Sequence, residues 1–365
     1  MDGSTFFVVS VFPGPERDST ATRRCYITGT DNMRKALILA AAALLFAACG
    51  KDSPTEDSSD GEKRVEWWHR LRYEIPKDEA YTWGSLSSCK LSWENGLLKK
   101  CEDFINGNEP DRYWEAVYEN GRVKEVRDYE ASGEIDRTTT FIYTGNMVTG
   151  AISSDGSKIT YEYNAAGDII RMTYSDDGYE PTTTYFSWEN GNLIEERRGN
   201  EAVTYTYDNK INPLRYLSIF FLRDVDPRAS RNNVLSKKST YRDGESFTSY
   251  TYTYDGDYPV SLTSSYSGDS YKGEDEFFFQ YADGSGMGIP EVCHVRIGSD
   301  YPSHYIHGEG TYKKGAKVIL KADQYYDNDT RYIFSHWGDG NTDNPRTFTA
   351  TADVTFRPVY TADEK

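Results

Sequence analysis

The stretch that decides the fold is residues 185–196, which read Tyr-Phe-Ser-Trp-Glu-Asn-Gly-Asn-Leu-Ile-Glu-Glu. Its pattern predicts a β-hairpin. Phe186 and Trp188 lie two residues apart and share one face of a strand, and the Asn-Gly pair that follows is typical of a type I′ turn with positive φ angles. A two-residue turn places Trp188 opposite Leu193, so the return strand continues the apolar face.

Variants of this hairpin recur along most of the chain. Each unit has aromatic or apolar residues at alternate positions, then a turn, then a return strand that in most units resumes the apolar face. The turn glycines of five units are Gly96, Gly121, Gly145, Gly167 and Gly191, spaced 22 to 25 residues apart. A single hairpin of this length buries little, so we expect successive units to pair side by side as an antiparallel meander.

The meander can curl into a barrel or remain an open twisted sheet, and the residue pattern is compatible with both. We favour the curled sheet, because closure removes unpaired edges. One short helix is predicted between the strands, since Leu214, Leu217 and Phe220 recur at helical spacing after Pro213. Strands resume after residue 233, so the predicted fold class is all-β.

The first fifty residues contain a second start at Met33. Residues 33–48 have a positive beginning, an apolar run too short to span a membrane and small residues before Cys49, which together indicate a signal peptide. The residues before Cys49 resemble the lipobox of bacterial lipoproteins, which implies an acylated thiol; the alternative is a free cysteine after an ordinary secretory signal. Residues 1–32 then lie upstream of the natural start, and residues 49–63 form a flexible tether to the membrane.

The chain of 365 residues has a formal net charge of −17. An acidic surface repels phosphate backbones, so nucleic acid is not expected as a partner. Because no nucleophile elbow, phosphate loop or dinucleotide motif occurs, we expect no enzymatic activity and no cofactor. No metal site is expected either: His304 and His307 fall on opposite strand faces, and Asp327 and Asp329 lack the other ligands of a calcium loop.

Cys89 and Cys101 flank the turn of the first hairpin. If the loop has three residues, ending at Gly96, the two cysteines face each other directly; with a two-residue loop they miss by one position. The pattern therefore does not decide whether the two cysteines form a disulfide. Such a bond requires an oxidising compartment, which a signal peptide supplies. Cys293 is expected to be a small buried apolar residue.

Four aromatic residues are candidates for stacking on sugar rings: Trp67, Trp68, Trp114 and Tyr179. Tryptophan and tyrosine combine a flat apolar face with a polar edge, which suits binding surfaces. The alternative for each residue is that it completes the tyrosine-rich core.

Two motifs carry a resemblance to a known family. Residues 205–214 read Tyr-Thr-Tyr-Asp-Asn-Lys-Ile-Asn-Pro-Leu, and residues 252–259 read Tyr-Thr-Tyr-Asp-Gly-Asp-Tyr-Pro. They resemble the Bacteroidetes lipoprotein domain of unknown function described as having a porin-like fold, and they are also similar to the tyrosine-aspartate repeats of the Rhs type. The resemblance covers about residues 85–285. It implies a barrel-like antiparallel sheet in a soluble, lipid-anchored protein, and it brings no catalytic residues.

The end of the chain carries a second resemblance. The Phe-Ser-His-Trp motif that ends at Trp337, the Asn-Pro turn at Pro345 and the last strand resemble a divergent internalin-B-type B repeat. This implies a small β-grasp-like module over residues 291–365, after a barrel-like domain of hairpin repeats over residues 64–290. Both families point to a cell-envelope protein, lipid-anchored to the outer membrane and exposed at the cell surface.

The predicted function is non-enzymatic binding of a glycan or a protein at the cell surface. The alternative is a structural accessory subunit of an outer-membrane complex, and a hydrolase is a third reading. The sequence names no ligand.

Overall fold

The computed structural model describes residues 63–76, 81–105, 109–215, 229–242, 244–267, 271–298, 305–327 and 330–364. The upstream segment, the signal peptide, Cys49 and nearly all of the tether therefore lie outside the described residues. The same holds for most of the predicted helix, of which a short 3₁₀ turn at 213–215 is described, and for His304 and Asp329.

Within the described residues, sixteen consecutive strands form a closed antiparallel barrel. Each strand pairs with the next, and the last strand pairs with the first from Val65 opposite Tyr281 to Pro76 opposite Tyr271. The strands are β1 (Val65–Pro76), β2 (Trp83–Glu94), β3 (Leu97–Ile105), β4 (Arg112–Glu119), β5 (Arg122–Glu130), β6 (Ile135–Thr144), β7 (Met147–Ser153), β8 (Lys158–Tyr163), β9 (Ile169–Ser175), β10 (Thr182–Glu189), β11 (Asn192–Arg198), β12 (Glu201–Ile211), β13 (Asn232–Tyr241), β14 (Gly244–Asp255), β15 (Tyr258–Ser267) and β16 (Tyr271–Tyr281). The predicted curled meander is confirmed, and closure leaves the barrel without a free edge.

The hairpin of residues 185–196 forms as predicted. Trp188 lies opposite Leu193. Asn190 and Gly191 have φ angles of 53° and 77°, as a type I′ turn requires. The other four turn glycines of the repeat also have positive φ angles.

The two faces of the barrel wall differ in polarity. On β6, the inward Phe141 is buried while its outward neighbours Thr140 and Ile142 are exposed. Outward positions on β14 and β15 are mostly serine and threonine, such as Thr251 and Thr263. A membrane-spanning barrel has the reverse arrangement, with an apolar band outside and a polar lumen. The outward faces of β14 and β15 are therefore mostly suited to water.

No helix among the described residues is long and apolar enough to cross a bilayer.

One end of the barrel, at the tight turns, is closed by aromatic side chains that we call the aromatic cap. On each even-numbered strand, β2 to β16, one aromatic side chain donates a hydrogen bond of 2.5 to 2.9 Å to a backbone carbonyl of the preceding strand. The donor and acceptor pairs are Trp93 to Val65, Tyr118 to Leu98, Tyr143 to Val123, Tyr163 to Val148, Trp188 to Ile169, Tyr207 to Leu193, Tyr252 to Val234 and Tyr281 to Pro259.

These bonds satisfy carbonyls that the sheet ladder does not reach. Between β3 and β4 the ladder ends at Lys100 opposite Glu115, and Lys100 is two residues after Leu98 in the chain. Neighbouring hairpins separate at that point, and the Tyr118 hydroxyl takes the place of the missing backbone N–H. A buried carbonyl without a donor is costly, so the second aromatic residue of each repeat has a defined structural role.

The other half of the barrel interior is polar and charged. Arg70 and Arg72 both bind the carboxylate of Asp275, at 2.5 and 3.2 Å. Arg137 binds Asp128 at 3.0 Å in the same half of the interior. All five side chains come from inward positions, so the charges compensate one another inside the wall.

The chain after β16 forms smaller sheets around a second buried cluster that includes Trp337 and Tyr312. Its strands are β17 (Val292–Ile297), β18 (Ile306–His307), β19 (Gly310–Lys313), β20 (Lys317–Ala322), β21 (Tyr325–Asp327), β22 (Thr330–Trp337), β23 (Arg346–Thr349), β24 (Val354–Phe356) and β25 (Pro358–Glu364). We refer to β17–β25 as the C-terminal module.

The C-terminal module is joined to the barrel by backbone contact. Gly310 of β19 pairs with Gly84 of β2, and the Tyr312 hydroxyl donates to the carbonyl of Thr82 at 3.2 Å. A Cβ atom on Gly310 would lie 2.2 Å from the Gly84 oxygen. The two glycines therefore permit an approach that any side chain at either position would block.

Candidate binding surface

An aromatic and charged row crosses the outer wall of the first five strands. Trp67, Lys90, Glu102, Tyr113 and Tyr129 are outward residues, each directly opposite the next on neighbouring strands. We call these five residues the outer-wall row. All five are half-buried.

Cations and rings alternate within and beside the row. The Lys90 ammonium lies 5.4 Å from the Trp67 ring centroid, and the Lys100 ammonium lies 4.1 Å from that of Tyr113. Tyr113 and Tyr129 are stacked, with centroids 4.6 Å apart and ring planes at 10°. These contacts hold the rings in defined orientations, since each one has a partner on a neighbouring strand.

A second row adjoins Trp67 on the same wall. His69 lies opposite Ser88, which lies opposite Phe104. The Trp67 ring is 5.7 Å from that of His69 and 5.6 Å from that of Phe104. Burial lowers the pKa of His69, so its imidazole is neutral at pH 7 and its Nδ1 is 2.7 Å from the Ser88 hydroxyl.

The surface offers flat rings at intervals, with charged hydrogen-bonding groups between them. Trp67 and Tyr113 are separated by three strand spacings, or about 14 Å. Aromatic faces bind flat apolar ligand surfaces, while the charged groups between them fix polar atoms. This arrangement suits an extended ligand with both apolar faces and hydroxyl groups.

The structure separates the four sequence candidates. Trp67 belongs to the outer-wall row, and Tyr179 is 78% exposed in the turn after β9. Trp68 and Trp114 point inward and are 5% and 3% exposed, so they take core positions. The four residues do not form one site.

The two cysteines lie on the inward face behind the row. The first hairpin has a two-residue turn, but a bulge between Ser92 and Trp93 shifts the pairing, so Cys101 faces Leu91 and not Cys89. The structure joins the two cysteines diagonally, with Cα atoms 6.5 Å apart, a separation within the usual disulfide range. The direct facing that a three-residue loop would have produced does not occur.

The Asp103 carboxylate lies beside the cysteines. Its oxygen and the two sulfur atoms lie within 4.8 Å of one another, which makes this trio a set of metal-ligand types among the described residues. Pairing of Cys89 with Cys101 removes both thiolates as ligands, so the trio fits a metal ion only in reduced protein.

His307 takes a structural position where the C-terminal module meets the barrel. Its Nε2 is 3.1 Å from the Asp323 carboxylate, and its ring stacks on Tyr81 at 4.4 Å. Tyr81 precedes β2 of the barrel, so this contact helps to fix the module against the barrel. Asp323 also binds Lys321 at 2.9 Å.

A groove of about 480 Å³ lies between the barrel wall and the turn from β19 to β20. The Tyr73 hydroxyl donates to the carbonyl of Lys317 at 2.9 Å, and Lys313 binds Glu276 at 2.7 Å across the groove. The strongest polar groups of the groove are thus already paired with each other. A ligand there would have to displace these contacts.

No family model and no curated protein matches this chain. Among solved structures, the chain is similar to porin-like proteins of Bacteroides. A porin-like protein from Bacteroides uniformis is 13% identical with a TM-score of 0.42, and the match covers 60% of this chain and 97% of that one. A porin-like protein from Bacteroides vulgatus is 12% identical with a TM-score of 0.31, covering 60% and 98%.

Sequence reasoning missed most of the outer-wall row. Lys90, Glu102, Tyr113 and Tyr129 were not among the candidates, because their alignment depends on the register of five strands. A local signal did exist. Tyr113 is an aromatic residue at an outward, otherwise polar position of its strand, next to the inward Trp114. An aromatic residue on the solvent-facing side of a strand indicates an interaction site.

Proposed function

We propose that this chain is a non-enzymatic binding protein of the cell envelope, and that it holds an extended glycan against the outer-wall row. The observation that carries the proposal is the row itself, in which three aromatic rings and two charged groups line up across five neighbouring strands. Sugar rings present the flat apolar faces and the hydroxyl groups that such a surface accommodates.

Charge supports a glycan over other ligands that stack on rings. Nucleic acid bases also stack on aromatic side chains, but a chain with a net charge of −17 repels the phosphates that accompany them. A neutral glycan meets no such repulsion. Lys90 of the row and the adjacent Lys100 hold their charges over rings, and so they serve as local hydrogen-bond donors in an acidic protein.

Location is the part of the proposal that rests on sequence. The apolar run within residues 33–48 and the cysteine that follows support export and acylation at Cys49. The lipid holds the tether to the outer membrane, and the barrel then stands in water outside the bilayer, in agreement with the mostly serine and threonine outward positions of β14 and β15. Mass spectrometry of the purified native protein for an acylated Cys49 tests this step.

Binding of the full chain to a glycan array tests the ligand. We expect saturable binding that Trp67→Ala weakens about tenfold, the loss of one stacking contact, and that Tyr113→Ala also weakens. Tyr185→Ala is the matched control, since Tyr185 is an outward aromatic residue on β10, 52% exposed and far along the barrel from the row. Equal losses in all three variants would contradict the assignment of the row.

The array also separates the alternatives. If no glycan on the array binds and a membrane protein co-purifies with the chain, the structural-subunit alternative is favoured. If the chain binds a protein and Trp67→Ala weakens that binding, the row is still the binding surface, but its ligand is a protein and not a glycan.

A further inference from the structure

Three side chains of metal-ligand type meet on the inward face of β2 and β3, and we call them the cysteine-aspartate trio. Cys89 lies directly opposite Asp103, and Cys101 is two residues before Asp103 on the same strand. A spacing of two keeps Cys101 and Asp103 on one face, and cross-strand pairing places Cys89 beside both. The register of one hairpin therefore assembles the trio.

The distances within the trio suit one small cation once the two sulfur atoms are not bonded to each other. The sulfur atoms and one carboxylate oxygen lie within 4.8 Å of one another. Ligand atoms on a single zinc ion lie about 2.0 to 2.3 Å from it, and so within roughly 4.6 Å of one another. Thiolate and carboxylate both bind zinc, whereas calcium and magnesium take oxygen ligands. The ligand set therefore favours Zn²⁺.

The two oxygens of the Asp103 carboxylate have different partners. Its Oδ2 accepts a hydrogen bond from Arg112 Nε at 3.0 Å. Its Oδ1 lies 3.9 Å from the sulfur of Cys101. Arg112 thus holds the carboxylate from one side while the other oxygen faces the sulfur atoms, and carboxylates that bind metal ions are held by hydrogen bonds in this way.

Charge is balanced when Zn²⁺ occupies the trio. Two thiolates and the Asp103 carboxylate carry three negative charges, and Zn²⁺ with Arg112 carries three positive charges. Cys89, Cys101 and Asp103 are 1%, 0% and 6% exposed. Charges at that depth require compensation by neighbouring charges of opposite sign.

A cavity beside the trio has room for a fourth ligand. The cavity has a volume of about 90 Å³, and Cys89, Asp103 and Ser87 are among its lining residues. One water molecule needs roughly 10 to 15 Å³ of such space. Where the protein supplies three zinc ligands, water usually takes the fourth position.

We infer that Cys89, Cys101 and Asp103 form a zinc site in the thiol form of the protein, and that zinc and the disulfide exclude each other. The chain is synthesised with both cysteines as thiols, so no reductant is needed to create the site. Binding of Zn²⁺ releases the two thiol protons.

A disulfide-bearing oxidant converts the zinc form into the cross-linked form. The two thiolates give two electrons to the S–S bond of the oxidant, which leaves as two thiolates. The Cys89–Cys101 bond forms in the same exchange, and Zn²⁺ is released because its sulfur ligands are consumed. The site does not rest on the proposed glycan binding, since the trio faces inward; Trp67→Ala is expected to leave zinc binding unchanged.

Titration of the full chain with Zn²⁺ against a coloured chelator tests the inference. We expect chain reduced with a phosphine to bind one Zn²⁺ that the oxidised chain does not bind. Cys89→Ser with Cys101→Ser is expected to lose this ion. Cys293→Ser is the control and is expected to retain it, because Cys293 lies in the core of the C-terminal module. Equal zinc binding by the double variant and the reduced wild type overturns the inference, as does absence of binding by the reduced wild type.

The carboxylate is tested separately from the thiols. Asp103→Asn keeps the size of the side chain and removes its charge, and we expect the affinity for Zn²⁺ to fall about tenfold or more. Asp128→Asn is the matched control, since Asp128 is also an inward carboxylate bound by an arginine at 3.0 Å. An equal change of affinity in the two variants would contradict a direct contact between Asp103 and the ion.

Urea denaturation keeps the test decisive if loss of the disulfide destabilises the chain. A ligand that binds the folded state raises the unfolding midpoint. We therefore expect Zn²⁺ to raise the midpoint of the reduced wild type and to leave the oxidised wild type and the double cysteine variant unchanged. Oxidised glutathione is expected to release the bound Zn²⁺ as the cross-link forms. A reduced chain whose midpoint does not respond to Zn²⁺ refutes the site.

Discussion

The hydroxyl of Tyr118 on β4 lies 2.8 Å from the backbone carbonyl of Leu98 on β3 and donates a hydrogen bond to it. The same relationship joins an aromatic side chain on each even-numbered strand of the barrel, β2 to β16, to the strand before it. The repeat in the sequence is therefore a repeat of hydrogen bonds as well as of apolar faces.

Tyr118→Phe removes one bond of the aromatic cap and keeps the ring. We expect the free energy of unfolding to fall by about 1 to 3 kcal/mol, because the Leu98 carbonyl is left without a donor. Urea denaturation measures the change. Tyr113→Phe is the control on the same strand, since Tyr113 points outward; an equal loss there would contradict the role of the cap.

The cap also predicts how stability responds to high pH. Burial raises the pKa of Tyr143 to about 12, above the value near 10 in the unfolded chain. The unfolded state then releases its proton first, so the stability that the neutral phenol contributes is complete below pH 10 and is lost as the pH rises to 12. Urea denaturation from pH 8 to pH 11 checks this, and Tyr143→Phe is expected to flatten part of the decline.

The raised pKa of Asp128 predicts that the free energy of unfolding also depends on pH in the acidic range. Burial is the largest influence on this carboxyl group and raises its pKa to about 6, in spite of Arg137 at 3.0 Å. Because the folded pKa exceeds the unfolded one, the contribution of Asp128 is complete below pH 4 and is lost as the pH rises through 6. Between pH 4 and pH 7, the free energy of unfolding of the wild type is therefore expected to fall by on the order of 2 kcal/mol relative to that of Asp128→Asn. A difference that stays constant with pH would contradict this.

The pairing of Cys89 with Cys101 predicts a redox-dependent stability. The bond would close a loop across 12 positions of sequence, and loops of this size are stabilised by roughly 2 to 3 kcal/mol. We expect Cys89→Ser with Cys101→Ser to lower the unfolding midpoint and to remove its sensitivity to reductant. Peptide mapping without reduction is expected to recover the two cysteines in one cross-linked peptide. Recovery of both as free thiols from native protein would refute the bond.

Gly310→Ala is expected to weaken the attachment of the C-terminal module. The added Cβ atom would lie 2.2 Å from the Gly84 oxygen, so the backbones must separate. The expected cost is about 1 to 3 kcal/mol, together with faster proteolytic cleavage between β16 and β17. Gly288→Ala, in that same connection, has open space around its Cβ position and serves as the control. Equal cleavage rates in both variants would show that close approach does not hold the module.

Local features of the barrel were predictable because they depend on neighbouring residues. Two-residue periodicity predicts the alternation of faces and the strand that begins at Val292. The φ angles that glycine permits predict the Asn-Gly turns. The opposition of Trp188 and Leu193 needed only the length of one turn. The register around the cysteines was missed, because a bulge between Ser92 and Trp93 shifts the pairing by one residue.

The composition of the candidate surface could not be predicted from local pattern. Alternation places Trp67 and Trp68 on opposite faces of β1, but it does not say which face is inside. That assignment depends on closure, which pairs Trp68 with Phe279 of β16 and buries it. Trp67 then remains outside and joins Tyr113 in one row.

The sequence by itself determined the hairpins, their turns and the two faces of each strand, because these arise from contacts within about 25 residues of chain. Only the tertiary structure decided that the sheet closes, which face is the core and which outward residues align. Closure joins Val65 to Tyr281, and no local pattern encodes a pairing over such a distance in the chain. It is stabilised by the collective burial of the inward face and the removal of both sheet edges.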